Sequence, residues 1–263
     1  MDTTTDGALC RVERAGHVTR LTLDSPANAN ALSRRLVEEL LAALESAAVD
    51  PSTRAVVLAS RGRSFCSGLD LKAATRGERP DDVELPRLLR TVVELPKPVV
   101  AAVDGAVRGG GMGLVAACDI AVAGPQASFA FSEVRLGVTA SIISVVCVRR
   151  MTARSLSLHM LTGDVFGPGE ALKSGLVSEL AGEPGQLEER ISAITAAFAS
   201  AEPGALAGTK QLLREVPAMP PDEAWAHTAA QAGAVFSSPA AAEGIAAFLE
   251  KRRASWVLPP ELP

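Results

Sequence analysis

Cysteine is scarce in this 263-residue chain, and the four present, Cys10, Cys66, Cys118 and Cys147, lie far apart with no C-x-x-C pair and no nearby histidine. That spacing suggests neither a metal site nor a disulfide framework, and it fits a reduced, cytoplasmic setting. Histidine is scarcer still: His17, His159 and His227 are isolated from one another and from any serine motif, and read as structural or surface residues. Long basic blocks are missing and the net charge is −4, which argues against nucleic acid as a partner. No uninterrupted apolar run is long enough to span a bilayer, so no membrane partner is expected. The opening MDTTTDGALC carries two acids and no apolar core, unlike a secretory signal or an Arg-rich transit peptide.

What is present describes a globular chain, with 48% hydrophobic and 21% charged residues. Its length suffices for one domain, or one domain with a helical appendage. The stretch 98–123, PVVAAVDGAVRGGGMGLVAACDIAVA, organises the rest. Val99 to Val103 is a continuous small apolar run bounded by Pro98 and Gly105, the pattern of a strand buried on both faces. Gly109-Gly110-Gly111 follows, then Leu114, Val115 and Cys118 at helical spacing. Glycines at a strand-to-helix junction admit a ligand close to the backbone, where the first N–H groups of a helix have no partner inside it.

Residues 9–13 and 17–23 alternate and predict a hairpin around Ala15-Gly16; Ser33 predicts an N-cap for a helix presenting Leu36, Val37, Leu40, Leu41 and Leu44. AVVLAS, 55–60, is a second buried strand, and it empties into a loop with Gly68 that reads either as a second backbone donor or as an ordinary turn. A helix is expected from Asp81 to Pro96, two short strands at DIAVAG and SFAFS, and helices over 140–161 interrupted near Thr152. Four more cover about 186–200, 203–215, 221–236 and 239–253. Strands alternating with helices and then helices alone indicate an α/β layer structure with an appended helical region.

On these residues the chain resembles the crotonase superfamily, the enoyl-CoA hydratases and isomerases. The match runs from about Val18 to Trp256 and rests on NALS at 30–33, FCSGLDL at 65–71, GAVRGGGMGL at 105–114, ACDIAVA at 117–123, FAFSEVRLG at 129–137, LTGDVF at 161–166 and FLEKRRASW at 248–256. The resemblance implies a ββα spiral core over 1–200 with a C-terminal helical oligomerisation region over 201–263. It also implies an acyl-CoA thioester substrate, no cofactor beyond the coenzyme A that this substrate carries, and a homotrimer or a hexamer of paired trimers.

Family positions carried onto this sequence put the two backbone N–H groups that face the thioester oxygen on Leu69 and Gly110, and the proton-transferring carboxylate on Glu133. Lys72 matches a position near the nucleotide end of CoA, and Phe248 and Lys251 match residues that reach CoA from the C-terminal helix. The same motifs extend the substrate-binding set to Ala29, Leu32, Ser67, Gly68, Asp70 and Leu71, and further to Gly109, Ser132 and Gly137. The chain departs from the family at two places. Gly113 stands where standard hydratases carry a second carboxylate, and Arg108 stands where a small or apolar residue is usual. Arg108 either reads a substrate carboxylate or, the favoured expectation, pairs with an acid such as Asp104 or Glu84.

Residues 134–151 look more like the branched-chain and methylglutaconyl-type hydratases than the usual fatty enoyl-CoA hydratase. Hydration of a 2-enoyl-CoA is therefore the expected activity. The alternatives are Δ3,Δ2 double-bond isomerisation, which needs one carboxylate, and acyl-CoA binding without catalysis.

Overall fold

A computed structural model describes residues 7–72, 84–183 and 185–258. Strands β1 (Cys10–Ala15) and β2 (Val18–Leu23) form an antiparallel hairpin across Gly16, whose φ of +51° suits a residue without Cβ. From β2 the sheet continues in parallel through β3 (Ala55–Ser60), β5 (Val99–Val103), β7 (Ile120–Ala123) and β9 (Glu179–Leu180). A second, three-stranded parallel sheet has the order β4 (Ser64–Cys66), β6 (Ala106–Arg108), β8 (Ser128–Ala130).

The two sheets share a logic. Strands β3, β5 and β7 each run out of the large sheet, bend, and continue as β4, β6 and β8 in the small one. Gly105 makes the β5-to-β6 bend at φ +104°, and a Cβ there would lie 2.6 Å from the Arg63 carbonyl oxygen in the neighbouring bend. The bends therefore stack, and the chain advances as a spiral.

Alternate residues of the central strands feed different cores, as a period of two requires. Val56, Leu58, Val99 and Ala101 join the main core with α1 (Arg34–Val49), while Val57, Ala59, Val100 and Val122 face Ile191. Ser33 Oγ caps α1 by accepting the Leu36 N–H, as its position before the apolar stripe predicts. Helix α2 is described over Leu85–Glu94, and the expected stretch from Asp81 to 83 lies outside the described residues. Helix α3 (Gly110–Ala117) is buried at every position, because α2 and α4 (Ser141–Cys147) pack on it. Arg150 closes its C-terminal end by donating to the Ala116 and Cys118 carbonyls. Helices α5 (Ala153–Thr162) and α6 (Pro168–Ser174) follow, then α7 (Gln186–Ala199), which carries Ile191. All four cysteines are buried free thiols.

Helices α8 (Pro203–Glu215), α9 (Pro221–Phe236) and α10 (Pro239–Leu249) form a helical arm in which Ala247 alone, among the described residues, is buried. Lys210 ties α8 to the core, donating to the Val92 and Lys97 carbonyls at 3.0 Å and pairing with Asp119 at 2.8 Å. Among the described residues no single helix is long and apolar enough to cross a membrane; α9 and α10 pass together on length and composition, but are bent by 67°.

Candidate active site

Strands β4 and β6 are neighbours, with Cys66 in register with Val107, so their C-terminal exits lie side by side. Gly68 leaves β4 with φ +89°, and a Cβ there would lie 3.0 Å from both the Arg108 oxygen and the Gly110 nitrogen. Only glycine permits that approach. Gly111 has the same requirement, since its Cβ would meet the Cys66 oxygen at 2.6 Å. The next residue on each exit, Leu69 and Gly110, carries a backbone N–H with no acceptor among the described residues. Gly110 is the first residue of α3, where an unpaired N–H and the positive end of the helix coincide.

A loop before α1 holds the Gly68 exit in place. Leu32 N–H donates to the Gly68 oxygen at 2.7 Å, Ser67 N–H donates to the Ala29 oxygen at 3.1 Å, and Leu32 bridges Leu69. Ala29 and Asn30 take left-handed φ values of 58° and 53°. Asn30 is a positioning residue that the sequence reading passed over, although it opens the NALS motif. Fully buried, it accepts the Ser25 N–H and donates to the Arg61 and Ser64 carbonyls, tying this loop to β4. Asparagine's tolerance of positive φ was the available signal.

Glu133 arrives from β8, the strand on the other side of β6, by way of Phe131 and the half-buried Ser132. It opens a 3₁₀ turn, Glu133–Leu136, that Gly137 closes at φ +76°. Its Oε1 lies 3.6 Å from where a Gly109 Cβ would be, and that same point is 3.7 Å from the Gly68 Cα. The carboxylate therefore borders the junction of Gly68 and Gly109, the residues that precede the two idle N–H groups. Oε2 is buried without a hydrogen-bond partner. Burial raises the Glu133 pKa above the usual carboxylate value of 4.5, and a hydrogen bond from its own backbone N–H offsets part of the rise. An unpaired oxygen and a raised pKa suit a group that takes up and gives back a proton.

The other candidate residues divide. Leu71 and Lys72 lie exposed beyond the Gly68 exit, with the Lys72 N–H donating to Asp70 Oδ1 at 3.0 Å. Phe248 is 82% exposed on α10 and Lys251 follows it, so this chain's own arm does not fold Phe248 against Glu133. Arg108 corrects the sequence expectation, because it pairs with neither Asp104 nor Glu84. Its guanidinium folds back along the small sheet and donates to the Val107 and Ser128 carbonyls and to Ser128 Oγ. Parallel pairing of β6 with β8 supplies those acceptors at once.

Gly113 is also not open. A Cβ there would lie 2.5 Å from Ile143 Cγ2, 2.9 Å from Ile143 Cβ and 3.2 Å from Leu89 Cδ1, so apolar side chains from α4 and α2 fill that side of α3. Gly113→Glu alone is therefore expected to destabilise the fold by about 1–3 kcal/mol from overpacking, before any cost of burying charge. Ile143→Ala in the same chain should recover part of the loss. Urea unfolding of the single and double variants checks this, and an undiminished midpoint for the single variant contradicts the packing described. A cavity of about 1110 Å³ is bordered by Leu89 and by Ile142 and Val146, which flank Ile143.

A sequence model of the enoyl-CoA hydratase/isomerase family matches residues 13–258. The chain is 36% identical over 251 residues to a Thermus thermophilus protein assigned as an enoyl-CoA hydratase, covering 93% of this chain and 98% of that one. It is 32% identical over 252 residues to the carnitinyl-CoA dehydratase of Escherichia coli K12, covering 92% and 96%. An enoyl-CoA hydratase structure from Mycobacterium smegmatis superposes with a TM-score of 0.88 at 32% identity, covering 94% of this chain and 98% of that one. Matches of that extent, on a spiral of paired sheets with glycine-lined strand exits, place the chain in the enoyl-CoA hydratase/isomerase family, with the crotonase fold.

Proposed function

We propose that this protein hydrates a 2-enoyl-CoA thioester. One observation carries the reading: the Glu133 carboxylate, whose Oε2 is buried without a hydrogen-bond partner, borders the Gly68–Gly109 junction that carries the acceptor-free N–H groups of Leu69 and Gly110. The thioester oxygen accepts from both N–H groups, which stabilise the negative charge that grows on it as the β-carbon is attacked. Ionised Glu133 takes a proton from the attacking water, whose oxygen bonds to the β-carbon. The same carboxyl then delivers that proton to the α-carbon, so a single acid completes the addition. Coenzyme A enters and leaves with the acyl group, and the scheme needs no further cofactor. Exposed Trp225, Phe236 and Phe248 on the arm support assembly into trimers or pairs of trimers, in which Phe248 and Lys251 reach a CoA.

Isomerisation is the second reading, and Ile143 in the space beside Gly113 favours it, because moving a double bond needs one carboxylate and no bound water. Steady-state assays with a 2-enoyl-CoA and a 3-enoyl-CoA separate the two, and acyl-CoA binding without turnover of either identifies a non-catalytic binder. Because burial raises the Glu133 pKa and the reaction needs its ionised form, kcat/KM should fall on the acid side at a pH above 4.5, the ordinary carboxylate value. An acid limb at or below 4.5 would assign the proton transfer to a different, better solvated acid.

A further inference from the structure

The 1110 Å³ cavity combines an apolar floor with an unbalanced charge. Leu89, Val93, Ile142 and Val146 supply the floor, and Arg87, Arg90, Arg149 and Arg214 the basic groups. Two of these arginines are spoken for. Arg87 pairs with Glu45 at 2.8 Å and Glu84 at 3.1 Å, and Arg214 pairs with Glu215 at 2.8 Å and Glu94 at 3.9 Å. Glu84, Glu94 and Glu215 are the acids that line the cavity, and each is engaged in these pairs. Among the described residues Arg90 and Arg149 form no ion pair, and Arg149 makes one long hydrogen bond, 3.4 Å to the Arg214 oxygen. An apolar floor beside two guanidinium groups that have no acidic partner among the described residues suits an apolar chain that ends in an anion.

Helix α2 links this cavity to the candidate site, with buried Leu89 between them. Leu85 Cδ2 lies 3.4 Å from the Cβ position of Gly110, and Leu89 Cδ1 lies 3.2 Å from that of Gly113. Helix α2 thus runs beside α3 from the idle Gly110 N–H to Gly113, about 4.5 Å of helix rise. Leu89 borders the cavity as well. We propose that the acyl group this protein takes ends in a carboxylate, which Arg90 and Arg149 bind in this cavity. The inference rests on the thioester site proposed above and adds the chemical class of its substrate. It also moves the reading of a substrate carboxylate away from Arg108, whose donors are turned onto the sheet.

The test compares two 2-enoyl-CoA compounds of equal chain length, one ending in a carboxylate and one in a methyl group. The wild type should favour the carboxylate by about 10- to 100-fold in kcat/KM, mostly through KM, the range of a charge-assisted hydrogen bond. That preference should drop at least about tenfold in Arg90→Leu/Arg149→Leu, and it should weaken as salt rises. Good turnover of both compounds at equal kcat/KM, or a preference that survives the double substitution, overturns the carboxylate subsite and leaves the cavity to another occupant such as a second copy of the chain. Failure of the wild type to bind or turn over either compound overturns the thioester site, and this inference with it.

Discussion

Replacing Glu133 by Gln is expected to lower turnover of a good 2-enoyl-CoA substrate by about 10²–10⁴, the usual weight of a general acid–base group, while acyl-CoA still binds. In the proposed mechanism binding survives because Leu69 and Gly110 act through the backbone, which the substitution leaves alone. A second consequence has the opposite sign. The Glu133 pKa is raised in the fold by burial, so the native state holds the Glu133 proton to higher pH than the unfolded chain does. Stability therefore falls as pH rises from the unfolded to the folded pKa, and the cost is fully present above the latter. Glu133→Gln removes that cost, so its Tm should exceed that of the wild type at neutral pH, with the difference vanishing below about pH 4, near the unfolded carboxyl pKa. Loss of activity with a gain in stability is the pattern of a site held under electrostatic strain. Wild-type turnover in Glu133→Gln would sink the mechanism, and Asp70 would be the next acid to examine.

Gly68→Ala is the second large effect. At φ +89°, a methyl group 3.0 Å from both the Arg108 oxygen and the Gly110 nitrogen forces the two strand exits apart. The two donors proposed to share the thioester oxygen would then no longer converge on it, and losing a single such donor costs about 10²–10³ in kcat. The expected result is a drop of at least about 10² in kcat together with lower stability from left-handed strain. Gly16→Ala separates the two contributions. Gly16 is also left-handed, φ +51°, but it sits in the β1–β2 turn, so its alanine variant should lose stability without losing kcat. Equal kcat in Gly68→Ala and Gly16→Ala would mean that convergence of the two exits does not matter.

Most helices and the longer strands were legible because the sequence punctuates them. Ser33 precedes an apolar stripe, Pro98 and Gly105 bracket Val99–Val103, and Thr152 interrupts the helices at the residue that caps α5. Strands β4, β6 and β9, at two or three residues, are too short for an alternation to declare itself. The glycine-rich junction therefore reads as a strand handing directly to a helix, whereas β6 intervenes.

At the site, unpaired N–H groups at a glycine junction followed from local chemistry. That Gly68 and Gly110 meet did not, since it depends on β4 and β6 being neighbours in a sheet that no local signal marks. The resemblance supplied that pairing. Arg108 was misleading for the same reason. What satisfies Arg108 comes from β8, and what fills the side of Gly113 comes from α4, and in both cases the partner is remote in sequence.

Burial of the four cysteines has a chemical consequence in time. Burial pushes each thiol up to about 12, with the charge of Glu133 adding to the rise at Cys147. At neutral pH the reactive thiolate is then only about one part in 10⁵ at each position. Alkylation or oxidation must wait for the chain to open, so modification is paced by the fold's own fluctuations and not by the strength of the reagent. Two of these sulfurs lie close to the site, Cys66 under Gly111 and Cys147 within the field of Glu133, whereas Cys10 belongs to the edge hairpin. The molecule thus carries internal clocks at its working centre and at its margin.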